Sequence, residues 1–358
     1  MPEIWTRNDR SQHESGLTTP DKETTIATTE GSRVDNKLSR GDFELFDRQP
    51  QTADVTEELL RSLGASEKSV SARYFYDQRG SELFEAITQL PEYYLTRTEM
   101  ALFDTLADEL RAAIGADCAL VEYGSGSSKK IRQLLETVAP LAYVPVDISL
   151  SHMQHNAREL HRDYPNLHIY PTCADITRRF ELPEPVAQLN KVGFFPGSSI
   201  GNFSPDQAVE FLSNVARTLG TGSRLIVGVD RKKDSAILEA AYNDSAGVTA
   251  EFNLNMMKHL GELLGVDLAP EKFVHRADYD AETGCIRMFL EAVEAHEVEA
   301  NGARIRFSEG ERVHTESSYK YAPEEFAEIA RRGGFRQVSH WSDPNDWFSI
   351  FLLEVVSD

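Results

Sequence analysis

Cysteine is scarce in this chain, with three among 358 residues. Cys118, Cys173 and Cys285 stand far apart and form no C-x-x-C pair. That argues against a disulfide framework or a structural zinc site and favours a reducing cytoplasm. Long apolar runs are missing too: none approaches the roughly 20 residues of a membrane-spanning helix. The N-terminus lacks the basic-then-apolar order of a signal peptide. Positive charge is in short supply, with 37 Lys and Arg against 58 Asp and Glu and a formal net charge of −21. Such a surface repels phosphate backbones and anionic lipids, so neither nucleic acid nor membrane is an expected partner. The histidines carry no H-E-x-x-H pattern. His152, His155 and His161 sit on one expected helix without a matching carboxylate set, so no metal is expected.

What is present builds a core: 41% of the residues are hydrophobic, enough for two domains or one with a large elaboration. Residues 1–42 are polar and Thr-rich and read as a disordered extension. Leu102, Phe103, Leu106, Leu110 and Ile114 recur at helical spacing, and Gly115 ends that segment. Apolar runs at Ala119–Tyr123, Ala142–Val146, Leu167–Tyr170, Val192–Phe195 and Arg224–Val229 then alternate with helical patterns. Before the last run, Ser204-Pro205 supplies an N-cap and first-turn proline for a helix closed by Gly220. This alternation predicts an α/β fold with a doubly wound, mostly parallel sheet. After Asp230 the pattern breaks. Residues 233–265 read as helical, 284–318 as short strands and Pro323–Arg332 as a helix. Phe335–Trp341 and Trp347–Val356 read as an antiparallel hairpin that finishes the sheet.

The first apolar run ends in Glu122-Tyr123-Gly124-Ser125-Gly126, and the second ends at Asp147. Glycines let a backbone approach a ligand closely, and an acid on the neighbouring strand can grip ribose hydroxyls. A dinucleotide fold would want G-x-G-x-x-G, but Lys129 holds the sixth position, and no P-loop is present. What remains resembles the E-x-G-x-G turn of S-adenosylmethionine-dependent methyltransferases. Asp175 falls just beyond the third strand, where such folds place a partner for the adenine amino group.

Several further segments resemble one family, the histidine Nα-methyltransferases of ergothioneine biosynthesis. They are Arg73–Asp77 with Gly80–Phe84, Leu90–Tyr94 with Thr96–Glu99, Phe195–Asn202, Ala241–Thr249 and His314–Ser318. The resemblance runs from about residue 43 to the C-terminus. It implies a class I methyltransferase fold, formed by 99–232 and 321–358, that binds S-adenosylmethionine. It also implies a discontinuous α+β substrate-binding domain formed by 43–98 and 233–320.

Carried onto matching positions, the resemblance gives the cofactor to Gly124, Lys130, Asp147, Asp175 and Ile176. Lys129 stands beside Lys130, and sequence does not separate the two. Tyr76 would lie near the methionine end of the cofactor, orienting the attacking amine as the catalytic residue. Asn202 and Tyr242 would hold the substrate carboxylate with backbone near Gly197. Tyr93, Glu316 and Ser318 would face the imidazole, and Met288 would line the pocket. The implied reaction is transfer of methyl groups to the α-amine of L-histidine, up to the trimethylated betaine hercynine, by a monomer. Two other readings stay open: another aromatic amino acid, such as a tryptophan derivative, as substrate, or a non-catalytic adenosyl-binding regulator.

Overall fold

Each of the five apolar runs becomes a strand of one sheet. The computed structural model describes residues 45–48, 55–126, 128–148 and 150–357, but not the side chains of 128, 129, 150–152, 154 and 155. The expected extension over 1–42 lies outside the described residues, as do the side chains of His152 and His155.

In chain order the first strands are β1 (Phe46–Asp47), β2 (Lys68–Ser69), β3 (Cys118–Tyr123), β4 (Ala142–Asp147) and β5 (His168–Ile169). Next come β6 (Thr172–Cys173), β7 (Asn190–Phe195), β8 (Arg224–Asp230), β9 (Phe273–Asp280) and β10 (Cys285–Ala292). The last are β11 (His296–Ala300), β12 (Ala303–Phe307), β13 (Arg312–Tyr319), β14 (Phe335–Ser342) and β15 (Phe348–Val355). The helices are α1 (Val55–Gly64), α2 (Gln78–Ile87), α3 (Tyr94–Ile114), α4 (Ser128–Val138) and α5 (Leu150–Asp163). They continue with α6 (Pro205–Leu219), α7 (Ser235–Tyr242), α8 (Val248–Leu264) and α9 (Pro323–Arg332).

The large sheet has the order β1-β6-β4-β3-β7-β8-β15-β14, with β5 beside β4. Its strands run parallel from β1 to β8, and β15 is antiparallel to both β8 and β14. This is the doubly wound α/β sheet with an antiparallel closing hairpin that the sequence predicts. Both faces are covered, which is why the central strands are apolar along their whole length. Leu120, Val192 and Ile226 pack into the core on one face, while Val121, Leu225 and Val227 pack into that on the other. Helix α6 begins with a reciprocal capping box between Ser204 and Gln207 and buries Ala208, Phe211, Leu212, Val215 and Leu219. Strand order reverses at β3, flanked by β4 and β7, and ligands of such sheets lie beyond the strand tips at that reversal.

A second sheet, β2-β13-β10-β9, is antiparallel except for β2, which runs parallel to β13. It starts at Phe273, earlier than the expected 284, because Phe273–Asp280 interleaves apolar and polar residues and lacks a clean apolar run. Phe252, Met256, Met257 and Leu260 of α8 join the same core as Ile286, Met288 and Leu290 of β10. Phe46–Asp47 pairs with Thr172–Cys173 at the edge of the large sheet, not with the smaller one.

One close approach packs α3 tightly against the large sheet. Glu99 of α3 is fully buried and lies over Gly228 of β8, where an added Cβ would stand 2.0 Å from Glu99 Oε1. Gly228→Ala therefore overpacks the core and lowers stability by about 1–3 kcal/mol, read as a lower urea midpoint at unchanged slope.

Candidate active site

At the tip of β3 the chain turns at Gly124 with φ +81°, a conformation glycine adopts without strain. The N–H groups of Gly124 and Ser125 both donate to Val146 O, at 2.9 and 3.2 Å, which sets the turn beside Asp147 at the end of β4. A Cβ on Gly124 would meet only Ile176 Cδ1, at 3.9 Å, and one on Gly126 nothing within 4 Å. Open backbone with a carboxylate at its rim fits an adenosyl-methionine group. Glu122, beneath the turn, is buried and accepts from the Tyr143 hydroxyl. Desolvation pushes its carboxyl up to about 8, against the Tyr143 hydrogen bond. Asp175 is engaged locally. Its Oδ1 accepts the Thr177 N–H at 2.9 Å and the Thr177 hydroxyl at 2.6 Å, so it caps the turn that follows β6.

Lys130, on α4, turns its ammonium toward α3, where Nζ lies 2.6 Å from Glu99 Oε2. Gly197, at the tip of β7, donates its N–H to both Glu99 oxygens, at 2.8 and 3.0 Å. A Cβ on Gly197 would come within 3.0 Å of Lys130 Nζ, so close packing there requires glycine. The amide of Gly197 is thereby occupied by protein. Glu99 thus joins the helix that follows the glycine turn to the loop that leads to Asn202. It also carries a sequence signal of its own, an acid on the apolar stripe of Leu95, Leu102, Phe103 and Leu106.

The other assigned residues gather around the second sheet. Met288 of β10 and Glu316 of β13 are direct cross-strand partners, as are Ile286 and Ser318, so all four share one face. The short 3₁₀ turn Ser199–Asn202 lies flush with the end of β13: a Cβ on Gly201 would meet Tyr319 O at 2.6 Å and Ser318 Oγ at 3.5 Å. Asn202 itself is exposed. The Tyr242 hydroxyl lies 2.8 Å from Ser318 Oγ, and the rings of Tyr93 and Tyr242 meet edge to face at 6.4 Å. Tyr76 closes the ring of aromatics through Phe84, at 5.8 Å.

Tyr76 follows a turn pinned by its neighbours. Asp77 caps α2 by accepting the Gly80 N–H at 2.6 Å, and a Cβ on Gly80 would collide with Phe75 O at 1.7 Å. Tyr76 shows 47% of its surface, yet its phenol is pushed above its ordinary value, first by desolvation and then by the charges of Glu316, Tyr242 and Asp147. A side chain open to water yet walled by protein hangs in a recess. Desolvation pushes the Glu316 carboxyl up to about 7, with only the charge of Lys320 in opposition.

Behind this wall lies a buried charge cluster that the sequence does not announce. Lys320 is fully buried, and its Nζ lies 2.8 Å from each of Asp230 Oδ2, Tyr242 Oη and Ser318 Oγ. Lys233 reaches Asp230 Oδ1 at 2.6 Å and the Tyr94 hydroxyl at 2.6 Å. Burial would raise the Asp230 carboxyl; the two ammoniums outweigh it and hold the group below its ordinary value. Desolvation brings Lys233 down to about 8, against the pull of Asp230.

Comparison with known proteins is decisive at this point: residues 55–355 match the description "histidine-specific methyltransferase, SAM-dependent". The chain belongs to that family. It is 38% identical to the histidine N-alpha-methyltransferase of Mycolicibacterium smegmatis over 315 residues, 84% of this chain and 96% of that one. Identity to the histidine N-alpha-methyltransferase of Mycobacterium tuberculosis is 33% over 82% of this chain and 93% of that one. The Neurospora crassa ergothioneine biosynthesis protein 1 is 31% identical over 78% of this chain, which spans 32% of that longer protein. A histidine-specific methyltransferase works on a small molecule. Among the described residues no cluster of His, Cys, Asp or Glu is arranged to hold a metal, and no helix is long and apolar enough to cross a membrane.

For this methyltransferase, an elevated carboxyl at 316 has a stability signature. The unfolded glutamate titrates near 4.5 and the folded one near 7, so the folded state binds the extra proton between those values. Stability is therefore lost as pH rises through that window and stays low above it. Glu316→Gln removes the loss, so the variant is more stable than its parent at pH 8 by about 1–3 kcal/mol and equal to it at pH 4. Thermal unfolding at the two pH values checks this.

Proposed function

We propose that the protein transfers methyl groups from S-adenosylmethionine to the α-amine of L-histidine, up to the trimethylated betaine hercynine, as the first step of ergothioneine biosynthesis. The observation that carries this reading is the match of residues 55–355 to the histidine-specific methyltransferases, with Tyr93 packed on Tyr242, Tyr242 bonded to Ser318, and Glu316 on the same sheet face as Ser318. A donor held at the glycine turn and an amino acid held on the second sheet would meet at Tyr76.

In this reading Gly124, Asp147 and Ile176 hold the adenosyl group, with Asp175 near its base and Lys130 toward its methionine end. Bound S-adenosylmethionine supplies an electrophilic methyl on a sulfonium. The protein's task is alignment, since fixing amine and methyl in line removes much of the entropic barrier. Tyr76, with its proton held well beyond neutral pH, orients the amine as a neutral hydroxyl and does not act as a phenolate base. The amine's proton leaves through the water that reaches this half-exposed residue. Asn202 and Tyr242 take the substrate carboxylate, with the Gly197 turn shaping the site. Tyr93, Met288 and Ser318 enclose the ring, and the Glu316 carboxylate accepts an imidazole N–H. Three buried free cysteines suit a cytoplasmic enzyme, and the reading takes the monomer as the working unit.

Mass spectrometry after incubation with S-adenosylmethionine and each of histidine, tryptophan and tyrosine tests the proposal. Methylated histidine is the expected product; methylation of tryptophan alone, or of none, rejects it. Glu316→Ala is expected to lower kcat/KM for histidine by about 100-fold while leaving S-adenosylhomocysteine binding within a factor of two. Asp147→Ala is expected to weaken that binding by about tenfold or more by calorimetry, because the ribose loses its acceptor.

A further inference from the structure

Lys320 lies just past the end of β13, out of solvent, with three N–H donors and three acceptors 2.8 Å away: Asp230 Oδ2, Tyr242 Oη and Ser318 Oγ. Its donors are fully committed. Tyr242 Oη and Ser318 Oγ each accept one of them and lie 2.8 Å from each other. Two hydroxyls carry two protons. At most one of these protons is used between the pair, so at least one O–H must point away from the cluster. Ser318 shares its face of the sheet with Glu316, two residues earlier on the same strand, so a hydroxyl proton released there is on the side of the residue assigned to the ring. With ligand bound, a carboxylate that takes the Tyr242 proton and a ring nitrogen that takes the Ser318 proton together replace the bond between the two hydroxyls, while Lys320 goes on donating to both oxygens.

We propose that Lys320 is a positioning residue that sets substrate choice: by donating to both oxygens it makes the Tyr242 and Ser318 hydroxyls donors toward ligand. The inference rests on the function proposed above and extends it. Glu316, when ionised, only accepts; Ser318, so constrained, donates. The ring that satisfies both carries one N–H and one bare nitrogen, which is neutral imidazole. Indole offers the N–H but no acceptor, and a phenyl ring offers neither. Sites whose polar groups would be left unpaired reject such analogues strongly. Lys320 itself need not touch the substrate. Asp230 does not depend on it alone, because Lys233 and Tyr94 still reach that carboxylate.

The test is a double-mutant cycle on histidine turnover, with Lys320→Met and Ser318→Ala singly and together. Ser318→Ala is expected to lower kcat/KM by about tenfold or more in the parent but less than threefold beside Lys320→Met. The preference for histidine over tryptophan should fall by about tenfold or more in Lys320→Met, with S-adenosylhomocysteine affinity unchanged. Full additivity, or equal losses for both amino acids, would mean that Lys320 is only a structural prop and overturns the inference. Should Lys320→Met not fold, Lys320→Gln is used instead: its amide keeps donors, so the coupling and the histidine preference are expected to fall less than in Lys320→Met but by more than about threefold, and full additivity or equal losses for both amino acids overturn the inference. Absence of histidine methylation by the unaltered protein overturns the proposed function as well; normal turnover with additive losses overturns this inference alone.

Discussion

Buried ion pairs on Asp230 fasten the second sheet to the large one. The chain leaves the parallel strands at Asp230 and returns at Tyr321, and between these points it builds α7, α8 and three strands of the second sheet, β9, β10 and β13. Exit and return are clamped together. Lys320 pairs with Asp230 at 2.8 Å, Tyr321 donates its N–H to Asp230 O at 3.1 Å, and Asp230 N–H donates to Ser198 Oγ at 2.9 Å. The last of these bonds draws in the Gly197 turn as well. A buried ion pair adds little net stability over an apolar contact of the same shape, since desolvation offsets the attraction. Its value here is registration. A dangling charge in this place costs several kcal/mol, so the strand end and the return point are held opposite each other.

Much of this frame is legible along the chain because local chemistry announces it. Ser204, Pro205 and Gly220 mark the ends of α6, and the apolar runs from Ala119 to Val229 give the parallel strands. Pro323 and the basic last turn of Arg331 and Arg332 bound α9. Motif matching also finds residues that converge, since Tyr76, Tyr93, Tyr242, Met288, Glu316 and Ser318 meet around one recess. What sequence hides is the partner of each buried charge. Glu99 finds Gly197, Lys320 finds Asp230, and Tyr94 finds Asp230 across separations that no periodicity reports. A lysine after a strand reads as solvated until its three acceptors are seen. Asp175, at the expected edge of the sheet, has one oxygen bonded to Thr177 next door, a local bond that sequence also does not report.

The two halves of the site handle charge by opposite rules. Asp230 is surrounded by ammoniums and held in its ionised form. Glu316 is given only the distant influence of Lys320 and no hydrogen-bond donor among the described residues, so its carboxyl rises to about 7. An unpaired acid in a walled recess is a cost that folding alone would not retain. Its retention makes sense if the missing donor arrives with the ligand.

That asymmetry also explains why a protein with a net charge of −21 needs buried cations exactly here. An amino acid brings a carboxylate to a site to which Asp147 and Glu316 are also assigned, and unopposed acids would repel it. Lys130 stands at the Gly197 turn, and Lys320 stands behind Tyr242. Both cations are tied to buried carboxylates, Glu99 and Asp230, which keeps them in place without presenting a bare positive charge to the sulfonium. Placing the countercharges one layer back lets these opposite demands coexist within a few side chains.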